Sequence, residues 1–289
     1  MTVREVHYPS VGSTSDAAQE IAARAWLCLA GDGASEPVLV WADEQTAGRG
    51  RQGRAWASPR GGVYLSVAYP WRRSARSHAG VVPLATGLAV RDALLHLCDR
   101  EADRLTIKWP NDVLLDGRKV AGVLCERRVL GAKLDGDEDA GGVDLLVVGI
   151  GINRTADPEV LGACRMPATS LRASGFEPPS AAACVRAVAT RLVERLDRLL
   201  QHGWCETDRD ALNACLAWRQ ESVSYEHGNT SRRGILLGTD GEGALRVEPI
   251  PDSANATATP AVLTLTSGEI SRLQTDPTPS VPPTPLPTL

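Results

Sequence analysis

The 289-residue chain is 43% hydrophobic and carries 31 basic against 35 acidic side chains. That is enough apolar sequence to bury one large domain, or one large and one small. A net charge of −4 excludes a whole-molecule field for nucleic acid, so any anion site must be a local basic patch.

The first ten residues, MTVREVHYPS, hold no apolar stretch fit for a signal peptide. The longest apolar run, near Leu145–Ile152, is too short for a bilayer. A cytoplasmic protein is expected. Its seven cysteines are scattered and lack a C-x-x-C pair, which reads as reduced thiols rather than a disulfide framework or a zinc site. Ser13–Cys28 has helical apolar spacing, with Ser13 and Asp16 in a capping-box pattern. VLVWA (38–42) is a buried strand and VYLSVAY (63–69) an alternating one. Residues 80–98 form a helix. LTIKW (105–109) is a strand stopped by Pro110. VLLDGRKVAGVLCE (113–126) is two strands around Asp116-Gly117, a hairpin signal. The acidic, Gly-rich stretch 131–142 reads as a surface loop. DLLVVGIGIN (144–153) is an apolar strand ending in glycines, and 180–202 and 206–219 read as helices.

From about Ser222 short β-like pieces alternate with Gly and Asn turns, the pattern of a small β-barrel. The segment PTPSVPPTPLPTL (277–289) holds six prolines and reads as a disordered tail. The expected organisation is a mixed α/β catalytic domain over 1–220, a small β domain over 221–273 and a tail over 274–289. There is no internal repeat.

Four segments carry chemistry. In ADEQTAGRGRQGRAW (42–56), Gly48, Gly50 and Gly53 satisfy G-x-G-x-x-G after a strand. No helical pattern follows, however, and no acidic residue stands near 70–75, so a dinucleotide fold is excluded. A P-loop is excluded because no Lys-Ser/Thr closes the motif. What remains is a loop of three glycines and three arginines, Arg49, Arg51 and Arg54. Its backbone amides and guanidinium groups suit phosphate or carboxylate oxygens, although a solvated basic loop has the same composition. In IKWPND (107–112), Lys108 ends a strand beside Asn111 and Asp112, placed to neutralise charge on a phosphate or simply to form a surface turn. GIGIN (149–153) lets a ligand approach a strand backbone or lets a helix pack tightly. Gly12-Ser13-Thr14-Ser15-Asp16 is a helix cap or a set of hydroxyls for a ligand.

The order and spacing of these segments, from about Glu5 to Leu200, resemble the biotin–protein ligase family. Its Gly-Arg-Gly-Arg-x-Gly-Arg loop stands here as GRGRQGR followed by Trp56. Its Lys-Trp-Pro-Asn-Asp is Lys108–Asp112, its Lys-x-Ala-Gly-x-Leu-x-Glu is KVAGVLCE (119–126), and its Gly-Ile-Asn is Gly151–Asn153. The β-rich end, with SGEIS (267–271), resembles the family's SH3-like domain. The resemblance implies the mixed-sheet fold of biotin and lipoate ligases. It implies activation of biotin with ATP and Mg²⁺, then transfer to a lysine of a biotin carboxyl carrier protein.

Residue by residue, the resemblance implies that Ser13, Thr14 and Ser15 hydrogen-bond the ureido ring and that Gln45 contacts biotin. Arg49, Gly50 and Arg51 would fold over biotin and its adenylate. Lys108 would meet the biotin carboxylate and the phosphate. Arg49, Arg51, Lys108, Asn111 and Asn153 would contact the nucleotide. The backbone at Gly48, Gly122, Val123, Leu124, Gly149 and Gly151 would line the pocket. Lys108, Arg51 and Asp112 are the expected catalytic set, with Asp112 orienting the carrier lysine or placing the metal. Two residues depart from the family pattern: Ser15 stands where Asn is usual and Gln52 where Arg is common. The catalytic pattern begins almost at Met1, so a ligase without a DNA-binding domain or repressor function is expected, and a homodimer is implied only by the family. A lipoate or octanoate ligase or transferase of the same fold, or a non-catalytic biotin-binding regulator, are the alternatives. GRGRQGR and KWPND favour biotin, and intact Arg49, Arg51 and Lys108 favour catalysis.

Overall fold

Alternation of apolar side chains along one strand sorts the two faces of this protein's main sheet. In the computed structural model, which describes residues 3–27, 36–72, 78–98, 102–129, 143–161, 166–227, 230–251 and 261–272, the sheet has seven strands. They are β1 (Arg4–Tyr8), β2 (Val38–Ala42), β3 (Val63–Arg72), β4 (Leu105–Lys108), β5 (Asp112–Leu115), β6 (Arg118–Val129) and β7 (Val143–Ile152). Their order is β1-β2-β3-β7-β6-β5-β4. β1 and β2 run parallel across the helix α1 (Thr14–Leu27), and all other neighbours are antiparallel.

On β7, Leu146, Val148, Ile150 and Ile152 point to one face. There they join the core built with α2 (Val82–Cys98) and α3 (Ala181–His202). Leu145 and Val147 point to the other face, against Ala18 and Ala22 of α1. On that second face the apolar run stops at Val147 and continues as Gly149 and Gly151. The strand remains, but its side chains do not, and space opens beyond the N-terminus of α1. α3 follows from its sequence: Ser180 caps it by accepting from Ala183 N at 3.2 Å. Its buried Val185, Val188, Leu192, Leu196 and Leu199 recur at helical spacing. The helical stretch His78–Cys98 is, by length and composition, apolar enough to cross a membrane. It thus exceeds the run near Leu145–Ile152, and its apolar surface is spent on the sheet and α3.

A second sheet of five antiparallel strands follows: β8 (Ser222–His227), β9 (Thr230–Thr239), β10 (Leu245–Pro249), β11 (Leu263–Leu265) and β12 (Ile270–Arg272), in the order β11-β10-β9-β8-β12. The link between the sheets differs from the sequence expectation. The helix expected over 206–219 is α4 (Glu206–Ala214). It ends there because the next residues bind the free edge of β4: Ile107 N donates to Cys215 O at 2.7 Å and Ala217 N to Ile107 O at 2.9 Å. Trp109, beyond the end of β4, donates from Nε1 to Gly243 O, in the turn between β9 and β10, at 3.0 Å. β3 runs past Tyr69 to Arg72, paired along its length with β7. The expected loop 131–142, the tail 274–289 and Cys28 lie outside the described residues.

Candidate active site

The space opened by the β7 glycines is a cavity of about 500 Å³. Its floor is made by Gly122 of β6 and Gly149 and Gly151 of β7, and Trp56 lies across it. A Cβ on Gly151 would fall 2.3 Å from Trp56 Nε1, and one on Gly122 2.9 Å from Trp56 Cζ3. Both positions therefore demand glycine, because the indole occupies the room a side chain would need. Trp56 Nε1 is buried and has no hydrogen-bond partner among the described residues. Across the indole lies a second cavity of about 440 Å³, lined by Gly48, Asn153, Leu161 and Ala168. Gln45, Trp56 and Lys119 line both cavities.

Trp56 arrives on the Gly/Arg loop, which is a closed hairpin. Trp56 N donates to Gly48 O at 2.9 Å and Gly50 N to Arg54 O at 2.7 Å. The turn is made at Gln52 (φ 57) and Gly53 (φ 72), both left-handed, a conformation glycine adopts without steric cost. This turn aims the arginines at the cavity.

One end of the first cavity is neutral. Ser13, Thr14 and Ser15 sit at the start of α1 and are buried. Gln45 Oε1 accepts from Thr14 N at 2.8 Å and Thr14 Oγ1 at 3.0 Å. Its Nε2 donates to Ser58 Oγ at 2.9 Å, which donates onward to Trp56 O at 3.0 Å. Beneath the α1 hydroxyls lies Ser66 of β3, fully buried, 2.8 Å from Thr14 Oγ1 and 3.0 Å from Ser15 Oγ.

The other end is cationic, and each cation has a protein partner. Arg49 is bidentate to Asp16 at 2.5 and 2.7 Å and stands 3.7 Å from Glu126. The Arg49 hydrogen bonds hold the Asp16 carboxyl below its usual range. Arg51 donates to Asn111 Oδ1 at 3.1 Å, and Asn111 Nδ2 is anchored on Val123 O at 2.8 Å. Arg54 binds Glu269, which reaches over from the second sheet. Lys119 and Lys108 flank Asp112 at 2.6 and 3.8 Å. Burial pulls the Lys108 ammonium below its ordinary pKa, with Asp112 opposing that shift. Lys119 Nζ also lies 4.9 Å over the Trp56 ring.

Most of the residues singled out in the sequence therefore converge on the first cavity: Ser13, Thr14, Ser15, Gln45, Arg49, Gly50, Arg51, Lys108, Asn111, Asp112, Gly122, Val123, Leu124, Gly149 and Gly151. Gly48 and Asn153 fall on the second. Asn153 donates from Nδ2 to Thr169 O at 3.0 Å, so its amide is fixed by backbone. Four residues were missed. Trp56 was visible only as the residue closing the loop, and Lys119 only as the first residue of KVAGVLCE, neither with a role. Ser66 gave no local signal, and Glu269 stood within SGEIS without a role.

A resident Mg²⁺ is poorly served. Asp112 is already shared by two ammonium groups, and no group of three His, Cys, Asp or Glu among the described residues could hold a metal. A divalent ion here would enter on the phosphates of a nucleotide, the usual way Mg²⁺ is carried into such sites.

The Biotin/lipoate A/B protein ligase family matches residues 29–136. A biotin–[acetyl-CoA-carboxylase] ligase of Paracoccus denitrificans is 34% identical over 216 residues, 74% of this chain and 85% of that protein. A bifunctional ligase/repressor of Bacillus subtilis is 28% identical over 84% of this chain and 69% of its own length. Among solved structures, the biotin protein ligase of Aquifex aeolicus in complex with biotin and ATP aligns with a TM-score of 0.67 at 25% identity, covering 93% of this chain and 97% of that one.

Proposed function

This chain belongs to the biotin–protein ligase family, and on that footing we propose how its two cavities divide the reaction. The activity is ATP-dependent conversion of biotin to biotinyl-5′-AMP, followed by transfer of biotin to a lysine of a carboxyl carrier protein. Biotin takes the first cavity, with its ureido ring at Ser13, Thr14, Ser15 and Gln45 and its carboxylate toward Lys108 and Lys119. The nucleoside takes the second, beside Asn153. The observation that carries this division is that Lys119 and Trp56 line both cavities. The two anionic substrates must meet where one cation serves both.

A carboxylate oxygen of biotin attacks the α-phosphorus of ATP. The bond from that phosphorus to the bridging oxygen breaks, and pyrophosphate leaves with the electron pair. Lys119 and Lys108 neutralise charge on the carboxylate and the phosphate. Asp112 holds the two ammonium groups together against their repulsion. Arg51 and Arg49 exchange Asn111 and Asp16 for substrate oxygens and close the loop over the mixed anhydride, excluding water. In the second step the carrier lysine attacks the acyl carbon and AMP departs. The reaction belongs in the cytoplasm, where ATP and an apo carrier are both available. The test is to mix the protein with biotin, ATP, Mg²⁺ and an apo carrier domain and to weigh the carrier. A mass increase of one biotinyl group is expected. An unmodified carrier with no pyrophosphate released would overturn the reading.

A further inference from the structure

Two backbone groups determine where the hydroxyl protons of Thr14, Ser15, Ser58 and Ser66 point at the neutral end of the first cavity. Thr14 N–H can only donate, so the Gln45 atom 2.8 Å from it must be the amide oxygen. At the opposite end Trp56 O can only accept. Ser58 Oγ therefore donates to it and must itself accept from Gln45 Nε2. The two anchors agree on the amide orientation. Thr14 Oγ1, 3.0 Å from the same amide oxygen, must then donate to it, since two acceptors at that distance would repel. Its single proton is used, so Ser66 must be the donor across the 2.8 Å contact with Thr14 Oγ1. Ser66 now has no proton for Ser15, so Ser15 must donate to Ser66 across 3.0 Å. The relay runs Ser15 to Ser66 to Thr14 to Gln45, and it leaves the Ser15 and Thr14 hydroxyls with only oxygen lone pairs to offer a ligand.

We propose that Ser66 is a positioning residue that makes this end of the cavity an acceptor surface, matched to the N–H groups of the biotin ureido ring. Ser66 is fully buried beneath the α1 hydroxyls. It acts through Ser15, whose proton it accepts and so turns inward before the ligand arrives. Preset polarity of this kind spares the ligand the cost of reorienting buried dipoles. Ser13 lines the same end and stands outside the relay, so its hydroxyl is the one able to turn and donate to the ureido oxygen. Ser15 is essential to the scheme, because a hydroxyl can pass its proton inward and offer its lone pairs outward.

The proposal rests on biotin occupying this cavity, and the experiment separates the two claims. Biotin and ATP affinities are measured by calorimetry for the wild type, Ser66→Ala, Ser15→Ala and the double variant. Ser66→Ala leaves the Ser15 proton free to point into the cavity against a ligand N–H. Biotin binding should weaken about tenfold, the scale of one to two buried hydrogen bonds, with ATP binding changed less than about twofold. Ser15→Ala should weaken biotin in the wild type but cost nothing further, or restore affinity, in the Ser66→Ala background. Additive losses, or an equal fall in ATP affinity, would mean that Ser66 merely fills space, and the proposal fails. Ser66→Cys, which keeps the volume with a weak donor, should shift biotin in the same direction by less. If it binds biotin like the wild type, the proposal also fails. If the wild type binds no biotin, it is the assignment of the cavity that has failed.

Discussion

The two ends of the first cavity are held by different means. At the neutral end, Thr14, Gln45, Ser58 and Ser66 are tied to one another and to backbone groups that cannot reverse. A ligand finds that surface already set. At the charged end, Arg49, Arg51, Arg54, Lys108 and Lys119 are tied to Asp16, Asn111, Glu269 and Asp112, groups that occupy places substrate oxygens can take. A ligand must displace some of them. The neutral end is thus built for recognition, and the charged end for exchange during reaction. Substitutions at the charged end should act on rate and on retention of the intermediate. Those at the neutral end should act on biotin affinity.

The largest effect should come from the shared cation. Lys119→Ala should lower biotinyl-AMP formation by ~10²–10³, the cost of one well-placed donor to a reacting phosphate, with biotin affinity changed far less. Lys108→Ala should behave alike. Near-normal pyrophosphate release in either would break the division between the two ends. Arg51→Gly comes next. It should still form the adenylate but lose it roughly ten- to a hundredfold faster, since a charge-assisted bond is worth ~1.5–3 kcal/mol. Incubated with biotin, ATP and serum albumin, the variant should label albumin while the wild type leaves it blank. Unlabelled albumin with normal carrier modification would show that the loop retains nothing.

Gly151→Ala sharpens the comparison from the floor. A methyl there meets the Trp56 indole at 2.3 Å, and Trp56 serves both cavities, so biotin and ATP should both bind about tenfold more weakly, at the lower end of overpacking costs. A loss confined to one ligand would show that Trp56 belongs to one cavity only. The smallest effect is expected at Asp16→Asn. Asp16 is paired with Arg49 but half exposed, so the pair should be worth at most about 1 kcal/mol. Because Arg49 holds the folded carboxyl below its ordinary value, that stability is present above about pH 4, the unfolded carboxylate range. It disappears as pH falls through the lower, folded value. Melting temperatures of the wild type and variant should differ slightly at pH 7 and converge near pH 2. A constant gap would show that the pairing contributes nothing.

What was legible in the sequence was whatever depends on local chemistry. Asp116 and Gly117 both adopt positive φ, as the Asp-Gly pair between two apolar runs led one to expect. The glycines of GIGIN, the hydroxyls at the start of α1 and the Gly/Arg loop stand out by composition, and the family resemblance supplies their roles. Lys119 does not stand out. Counted back in twos from Val123 and Ala121, it belongs on the core face. An irregularity in the β5–β6 register, where Val113 pairs with Ala121 but Leu114 with Lys119, inserts one residue and turns Lys119 into the cavity. Ser66 sits inside a strand of large apolar residues, where a single serine carries no signal until α1 is laid over it. Glu269 reaches Arg54 from 215 positions along the chain, a meeting set by how two sheets pack rather than by any motif. The helix over 206–219 was overestimated because its last residues keep helical apolar spacing while the free edge of β4 claims their backbone.

The bond from Trp109 to Gly243 has a consequence for how the molecule comes apart. The sequence reads as two domains, yet Trp109 follows directly on Lys108. Gly243, at φ +78, would bring a Cβ to 2.7 Å from Val81 and 2.9 Å from Leu84. The apolar cluster that includes Val81, Leu84 and Ile107 also includes Tyr225, Leu236, Leu245 and Val247. Heat should therefore not melt the small sheet first and leave a working catalytic domain behind. Scanning calorimetry should record one endotherm whose measured enthalpy equals its van't Hoff value, with ligase activity vanishing on the same curve.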